Sequence, residues 1–238
     1  MKIENVDFRK KLTFLQALKK VPSFIRFSTG TMFFNAIRLG FLSLMRLQRS
    51  RNRKPIKKIV IIGFGGIGNH LMLLPAIQMI GNEFPEATLH IVAATQASAE
   101  LLKLAASVDG VSIFKINSLR NCGTYQAMRE HLLELSPDVV IGAAGLDPVF
   151  AGVISFLGGA HFRVGANWKG RGFLFTHETK LNGNEYESIQ NLRLVATFLG
   201  IHCLDSSYFP IIPQLQLEES LVMEGRRWKE SLKLGPDR

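Results

Sequence analysis

Cysteine is scarce in this chain of 238 residues: there are two, Cys122 and Cys203. Two thiols build no disulfide framework, and they read as buried thiols of a reducing compartment. The six histidines, at 70, 90, 131, 161, 177 and 202, show no paired ligand spacing among themselves or with the cysteines. A structural zinc is therefore not expected. No apolar run near the N-terminus reaches the roughly 20 residues that a membrane span requires. The longest, Met32 to Met45, is broken by Asn35 and Arg38. A compact apolar core followed by a small-residue cleavage site is missing as well, so no secretory signal is expected. There is no G-x-S-x-G elbow and no P-loop lysine. Acidic residues are nearly absent from the first 58 positions, which hold 15 Lys and Arg against Glu4 and Asp7, a net +13. The remainder holds 14 Lys and Arg against 17 acids, a net −3. The basic character thus belongs to an N-terminal extension, and the body is not expected to bind nucleic acid.

What is present falls into three parts. Residues 1–54 form the basic extension. Within it, Phe8, Leu12, Leu15 and Leu18 recur at helical spacing among Arg9, Lys10, Lys11, Lys19 and Lys20, until Pro22 ends or bends the pattern. A second amphipathic stretch, about 31–49, carries Phe33, Phe34, Ile37, Phe41, Leu44 and Met45 beside Arg38, Arg46 and Arg49. Cationic faces beside bulky apolar ones suit an anionic membrane surface; docking on the body or on a partner is the other reading. The expected location is cytoplasmic, peripheral on the inner face of the cytoplasmic membrane.

From Pro55 the rhythm becomes strand–helix alternation. Ile59–Ile62 is a buried strand, and 69–81 a helix closed by Gly81. "ATLHIVAA", "VSIFKI", "PDVVIGAA" and "HFRVGA" are further strands. "SAELLKLAASV", "TYQAMREHLLELS", 148–158 and 185–199 are helices, the last with Ile189, Leu192, Val195 and Leu199 on one side. Asp138, after Ser136-Pro137, helps start its strand. Alternation of this kind predicts an α/β, Rossmann-like parallel sheet over 55–212, with ligands at the carboxyl ends of the strands. Residues 213–238 read as a polar, helix-prone connection out of that domain.

The stretch "KKIVIIGFGGIGNHLMLLPAI" joins a strand to a helix through Gly63, Gly65, Gly66 and Gly68. A helix beginning near Asn69 would present free N–H groups and a positive dipole end to a phosphate, a carboxylate or a hydroxyl losing its proton. A dinucleotide site also requires an acid at the end of the second strand to hold the ribose. That strand ends "HIVAATQAS", without one.

Taken together, "KIVIIGFGGIGNHLMLLPAIQMIGNEFPEATLHIVA", "PDVVIGAAGLDPVFAGVISFLGGAHFRVGANWKGRGFLFTHE" and "NEYESIQNLRLVATFLGI" resemble the N-terminal domain of glycosyltransferase family 9, the ADP-heptose:lipopolysaccharide heptosyltransferases. The resemblance covers about 55–212. It implies half of a GT-B-type architecture, in which this domain binds a lipid-linked saccharide acceptor. A C-terminal donor domain or partner chain would hold the nucleotide sugar, ADP-linked. Transfer would be inverting, with no metal and no other cofactor. Residues 213–238 would then lead toward that missing donor domain.

The family's proposed base, an Asp after the glycine turn, falls at Asn69, and a carboxamide orients a hydroxyl without taking its proton. His70 is the neighbouring candidate base, and Asn69 is also a favoured helix cap. Gly65, Gly66 and Gly68 are the expected backbone contacts to substrate. The resemblance places the loop of Arg163, Lys169 and Arg171 beside the cleft, where guanidinium groups would grip phosphate, with Trp168 free to stack or pack. Asp147, near the end of the fourth strand, is a further cleft residue. Two other readings remain: a degenerate relative that binds saccharide or membrane without transfer, and a nucleotide-cofactor oxidoreductase.

Overall fold

The computed structural model describes residues 55–115, 122–181 and 183–201, with 215, 219, 222–224 and 226–227. The expected amphipathic helices of 1–54, Cys203, the side chain of Cys122 and most of the connection over 213–238 lie outside the described residues.

Among the described residues six strands form one sheet: β1 (Lys58–Gly63), β2 (Thr88–Ala93), β3 (Gly110–Ile113), β4 (Val139–Gly142), β5 (Phe162–Ala166) and β6 (His177–Thr179). Every pairing within this sheet is parallel, in the order β3-β2-β1-β4-β5-β6. This is the doubly wound Rossmann order, with its reversal between β1 and β4. Strands buried on both faces read as continuous apolar runs, as "IVII" at 59–62 does. Among the described residues the helices that flank the sheet are α1 (Ile67–Leu71), α2 (Leu74–Glu83), α3 (Gln96–Lys103), α4 (Cys122–Leu135), α5 (Pro148–Leu157) and α6 (Glu187–Leu199).

Strand alternation splits the core in two. Ile59, Ile61, Leu89, Ile91, Val139 and Ile141 pack against α2, α3 and α6. Val60, Ile62, Val92 and Val140 pack against Met128 and Leu132 of α4 and Phe150 and Ile154 of α5. At β1 and β4 the strands start together, because the Asp138 carboxylate accepts from the backbone N–H groups of Lys57 and Lys58 at 2.8 and 3.0 Å.

Three elements differ from the sequence reading. The helix expected over 69–81 is two helices. Pro75, in the first turn of α2, has no N–H, and its ring blocks continuation of a helix through it, so α1 stops at Leu71. Gly81 does not close α2, which runs on to Glu83; Ser107 occupies the space where a Cβ at 81 would sit. The second expected helix ends early, at Lys103, because Ala105 is drawn into an antiparallel bridge with Leu215. Strand β6, unanticipated, pairs Val164 with His177 and Ala166 with Thr179.

A histidine cluster sits between β2, β3 and α4. The hydroxyl of Ser112 lies 3.0 Å from Nε2 of His90 and 2.7 Å from Nε2 of His131, whose Nδ1 is 4.0 Å from a Glu134 carboxylate oxygen. Burial first, then His131 and Lys58, holds the His90 imidazole below its ordinary 6.5. The unfolded chain therefore takes up this proton more readily. Stability from this group is complete above pH 6.5 and is lost as pH falls below it. Chemical denaturation should show stability falling from about pH 7 to about pH 5, with a shallower fall in His90→Gln.

Candidate functional site

The site lies where the strand order reverses. The glycine turn leaves β1 at Gly63, and the β4–α5 loop leaves at Gly142. The β4–α5 loop is tied to the end of α1, which follows the glycine turn, by Asn191 of α6, which is almost fully buried. Its Oδ1 accepts from the Ala144 N–H at 2.9 Å, and its Nδ2 points to the Met72 carbonyl at 3.4 Å.

On top of this tie, Asn69 and Glu187 meet. Nδ2 of Asn69 donates to Oε2 of Glu187 at 2.9 Å, across 118 residues of chain. The Asn69 side chain lies flat on Gly65; a Cβ there would sit 2.5 Å from the Asn69 Cβ and 2.8 Å from its Oδ1. Glycine is thus required at 65 by a close approach. A Cβ at Gly145 would sit 3.1 Å from Oε1 of Glu187. These residues, with Gly63, His70 and Ala143, enclose a crevice of about 20 Å³, room for one water. Across Phe64 and Gly65 it adjoins an open cleft of about 710 Å³ over the ends of β1, β2 and β3, lined by Gly66, Thr95, Ile113 and Lys115. That volume is of small-ligand size.

Several expected roles are corrected here. His70 is 1% exposed, and its ring nitrogens face the carbonyls of Gly66 and Gly63 at 3.0 and 3.1 Å. A neutral imidazole donates to one of these; in either tautomer both nitrogens are turned to backbone. His70 therefore clamps the glycine turn and is not placed as a base. Asn69 does not cap: the N-cap of α1 is Gly66, with no side-chain bond, and Asn69 lies inside the helix. Helix α1 has five residues, so the strong dipole end expected near residue 69 is not built. A Cβ at Gly66 or Gly68 would meet nothing within 4 Å. Both glycines are open to a ligand, and neither is required by packing.

The basic loop does not converge on the site. Arg163 is 3% exposed; its Nε donates to the Leu174 carbonyl at 2.9 Å, its Nη1 to the Ala160 carbonyl at 2.8 Å, and it lies over the Phe156 ring. Burial pushes its guanidinium down to about 10, so it remains charged at neutral pH. Arg171 is 3.8 Å from Asp147, an exposed pair of small energetic value. Asp147 caps α5 through the Phe150 N–H at 2.9 Å. Lys169 holds a left-handed φ of 54° at the loop tip, and Trp168 is exposed. None of Arg163, Lys169, Arg171 and Asp147 lines the crevice or the cleft.

Sequence reading missed Glu187, Asn191 and Lys115. An acid opening a helix is ordinary dipole chemistry, which hides Glu187. The buried pairing of Asn191 exists only across the fold.

Among the described residues no group of three or more His, Cys, Asp or Glu could hold a metal, and no helix is long and apolar enough to cross a membrane.

No protein-family profile and no curated protein matches the chain. Solved structures do. The chain is similar to E. coli heptosyltransferase WaaC with ADP-2-deoxy-2-fluoro heptose, at 22% identity and TM-score 0.50, over 60% of this chain and 48% of that one. It is similar to a glycosyl transferase family 9 structure from Veillonella parvula, at 13% identity and TM-score 0.54, over 75% and 50%. It is also similar to E. coli ADP-heptose LPS heptosyltransferase II, at 18% identity and TM-score 0.53, over 76% and 52%. At these identities the likeness is one of fold: a Rossmann-like α/β domain of the kind found in GT-B glycosyltransferases. The chain spans about half the length of each of these proteins.

Proposed function

We propose that this domain binds the saccharide acceptor of a heptosyltransferase-like glycosyltransferase. The acceptor is a lipid-linked saccharide of cell-envelope glycan synthesis, and the donor is a nucleotide sugar, ADP-linked, held by a second Rossmann-like unit. Transfer is inverting and uses no metal. The net +13 of residues 1–58 supports attachment to an anionic membrane face.

One observation carries the reading. A carboxylate, Glu187, stands over the glycine turn where a dinucleotide's diphosphate would lie. Like charges in a partly buried crevice repel, whereas a carboxylate beside a carboxamide suits hydroxyl groups. The unpaired ribose position at the end of β2 argues the same way against an oxidoreductase: Thr95 there is occupied as the cap of α3.

The test is calorimetric titration with a deacylated, phosphorylated lipopolysaccharide core oligosaccharide, and separately with NADH. The oligosaccharide binds and NADH does not. Gly66→Ala weakens oligosaccharide binding about tenfold by blocking a backbone contact, with an unchanged thermal midpoint. NADH binding at the turn, or an oligosaccharide affinity indifferent to Gly66→Ala, would contradict the reading. A second reading, binding without transfer, is favoured by Asn69 in place of an acid. It holds if the oligosaccharide binds but no sugar is transferred from an ADP-sugar with a donor unit supplied, before or after Asn69→Asp.

A further inference from the structure

Asn69 leaves the site without the carboxylate expected after the glycine turn, yet the crevice does contain one. We propose that Glu187 is the hydroxyl-binding carboxylate of this site and that Asn69 is its positioning residue. The inference rests on the saccharide reading above and deepens it.

Three observations support the assignment. First, the pairing has a defined sense. A carboxylate only accepts, so the Asn69 amide must turn its NH2 to Oε2, at 2.9 Å, with its own oxygen toward Gly65. That single bond engages one oxygen and restrains the carboxylate at the turn. Second, Oε1 takes no hydrogen bond among the described residues. The backbone at Gly145 stands opposite it, where a side chain would crowd it. Both glycine positions, 65 and 145, therefore make room for the two members of the pair.

Third, Glu187 differs from its neighbour. Glu185 is gripped by both arms of Arg193, at 2.9 and 2.8 Å, and is neutralised within the domain. Among the described residues no Lys or Arg forms an ion pair with Glu187. It is half-buried, lines the crevice and opens α6, the helix whose Asn191 ties the β4–α5 loop to the end of α1. An oriented acceptor oxygen without a cation, at the switch point of the sheet, has the chemistry to receive a sugar hydroxyl.

The experiment titrates wild type, Glu187→Gln, Asn69→Ala and Glu185→Gln with the same deacylated core oligosaccharide, each checked by circular dichroism and thermal unfolding. Glu187→Gln keeps the size but puts an NH2 where the hydroxyl donates; its Kd should rise about tenfold or more with the thermal midpoint unchanged. Asn69→Ala should raise Kd about threefold by releasing the carboxylate. Glu185→Gln, which breaks the Arg193 fork, should lower the midpoint and leave Kd within about twofold. If Glu187→Gln binds as wild type does, the assignment is overturned while the saccharide reading stands. If wild type binds no oligosaccharide, both fall together.

Discussion

Arg163→Ala is expected to lower stability by about 3 kcal/mol, from the cavity and the orphaned carbonyls together, and the thermal midpoint by about 10 °C. Saccharide affinity of the folded fraction should not change. The side chain fills space against Phe156 and satisfies the carbonyls of Leu174 and Ala160. Truncation leaves a void and two buried acceptors without donors. One effect opposes this: a guanidinium pushed down to about 10 is costly to bury, and the substitution relieves that cost. Arg163→Met separates the contributions, because it restores packing without charge; it should lose clearly less than Arg163→Ala. Equal loss in the two variants would show that the hydrogen bonds dominate. A weakened saccharide affinity with unchanged stability would return Arg163 to the cleft.

Asn191→Ala should cost about 2–3 kcal/mol, because it leaves the Ala144 N–H buried without an acceptor. Its second effect is functional. The tie between the β4–α5 loop and the end of α1 holds Gly145 and Asn69 on opposite sides of one carboxylate. Without it, amide exchange at Ala144 should quicken by more than global unfolding explains. Saccharide affinity should fall with it. Exchange at Ala144 that changes only in step with global stability would show that Asn191 supports the core and not the site.

The parallel sheet was legible because buried strands announce themselves. "IVII" and "VVIG" leave no polar face, and the helices between the strands carry their periodicity openly. Strand β6 was not legible: His177–Thr179 is three residues with no alternation, and it exists because β5 offers an edge. At the glycine turn the strand–turn–helix order was readable, but the division at Pro75 made the first helix too short for the expected dipole.

The charged residues were the least legible. An arginine beside a glycine-rich loop suggests a phosphate grip, and its carbonyl partners at 160 and 174 are visible only in the fold. His70 reads as a candidate base because it follows Asn69 after the turn, whereas both its ring nitrogens face the carbonyls of Gly66 and Gly63. The partner of Asn69 is 118 residues away, so the loss of an acid at 69 and the presence of one at 187 could not be connected from the sequence.

The central claim is that a saccharide enters at the glycine turn, against Glu187. An amide-resolved NMR titration of the labelled protein with the deacylated core oligosaccharide tests it most directly. The predicted shifts fall on Gly65, Gly66, Asn69, Gly145 and Glu187 and extend toward Lys115, leaving Lys169 and Arg171 still. Shifts confined to the loop of residues 167–172, or the same turn responding to NADH and not to the oligosaccharide, would contradict it.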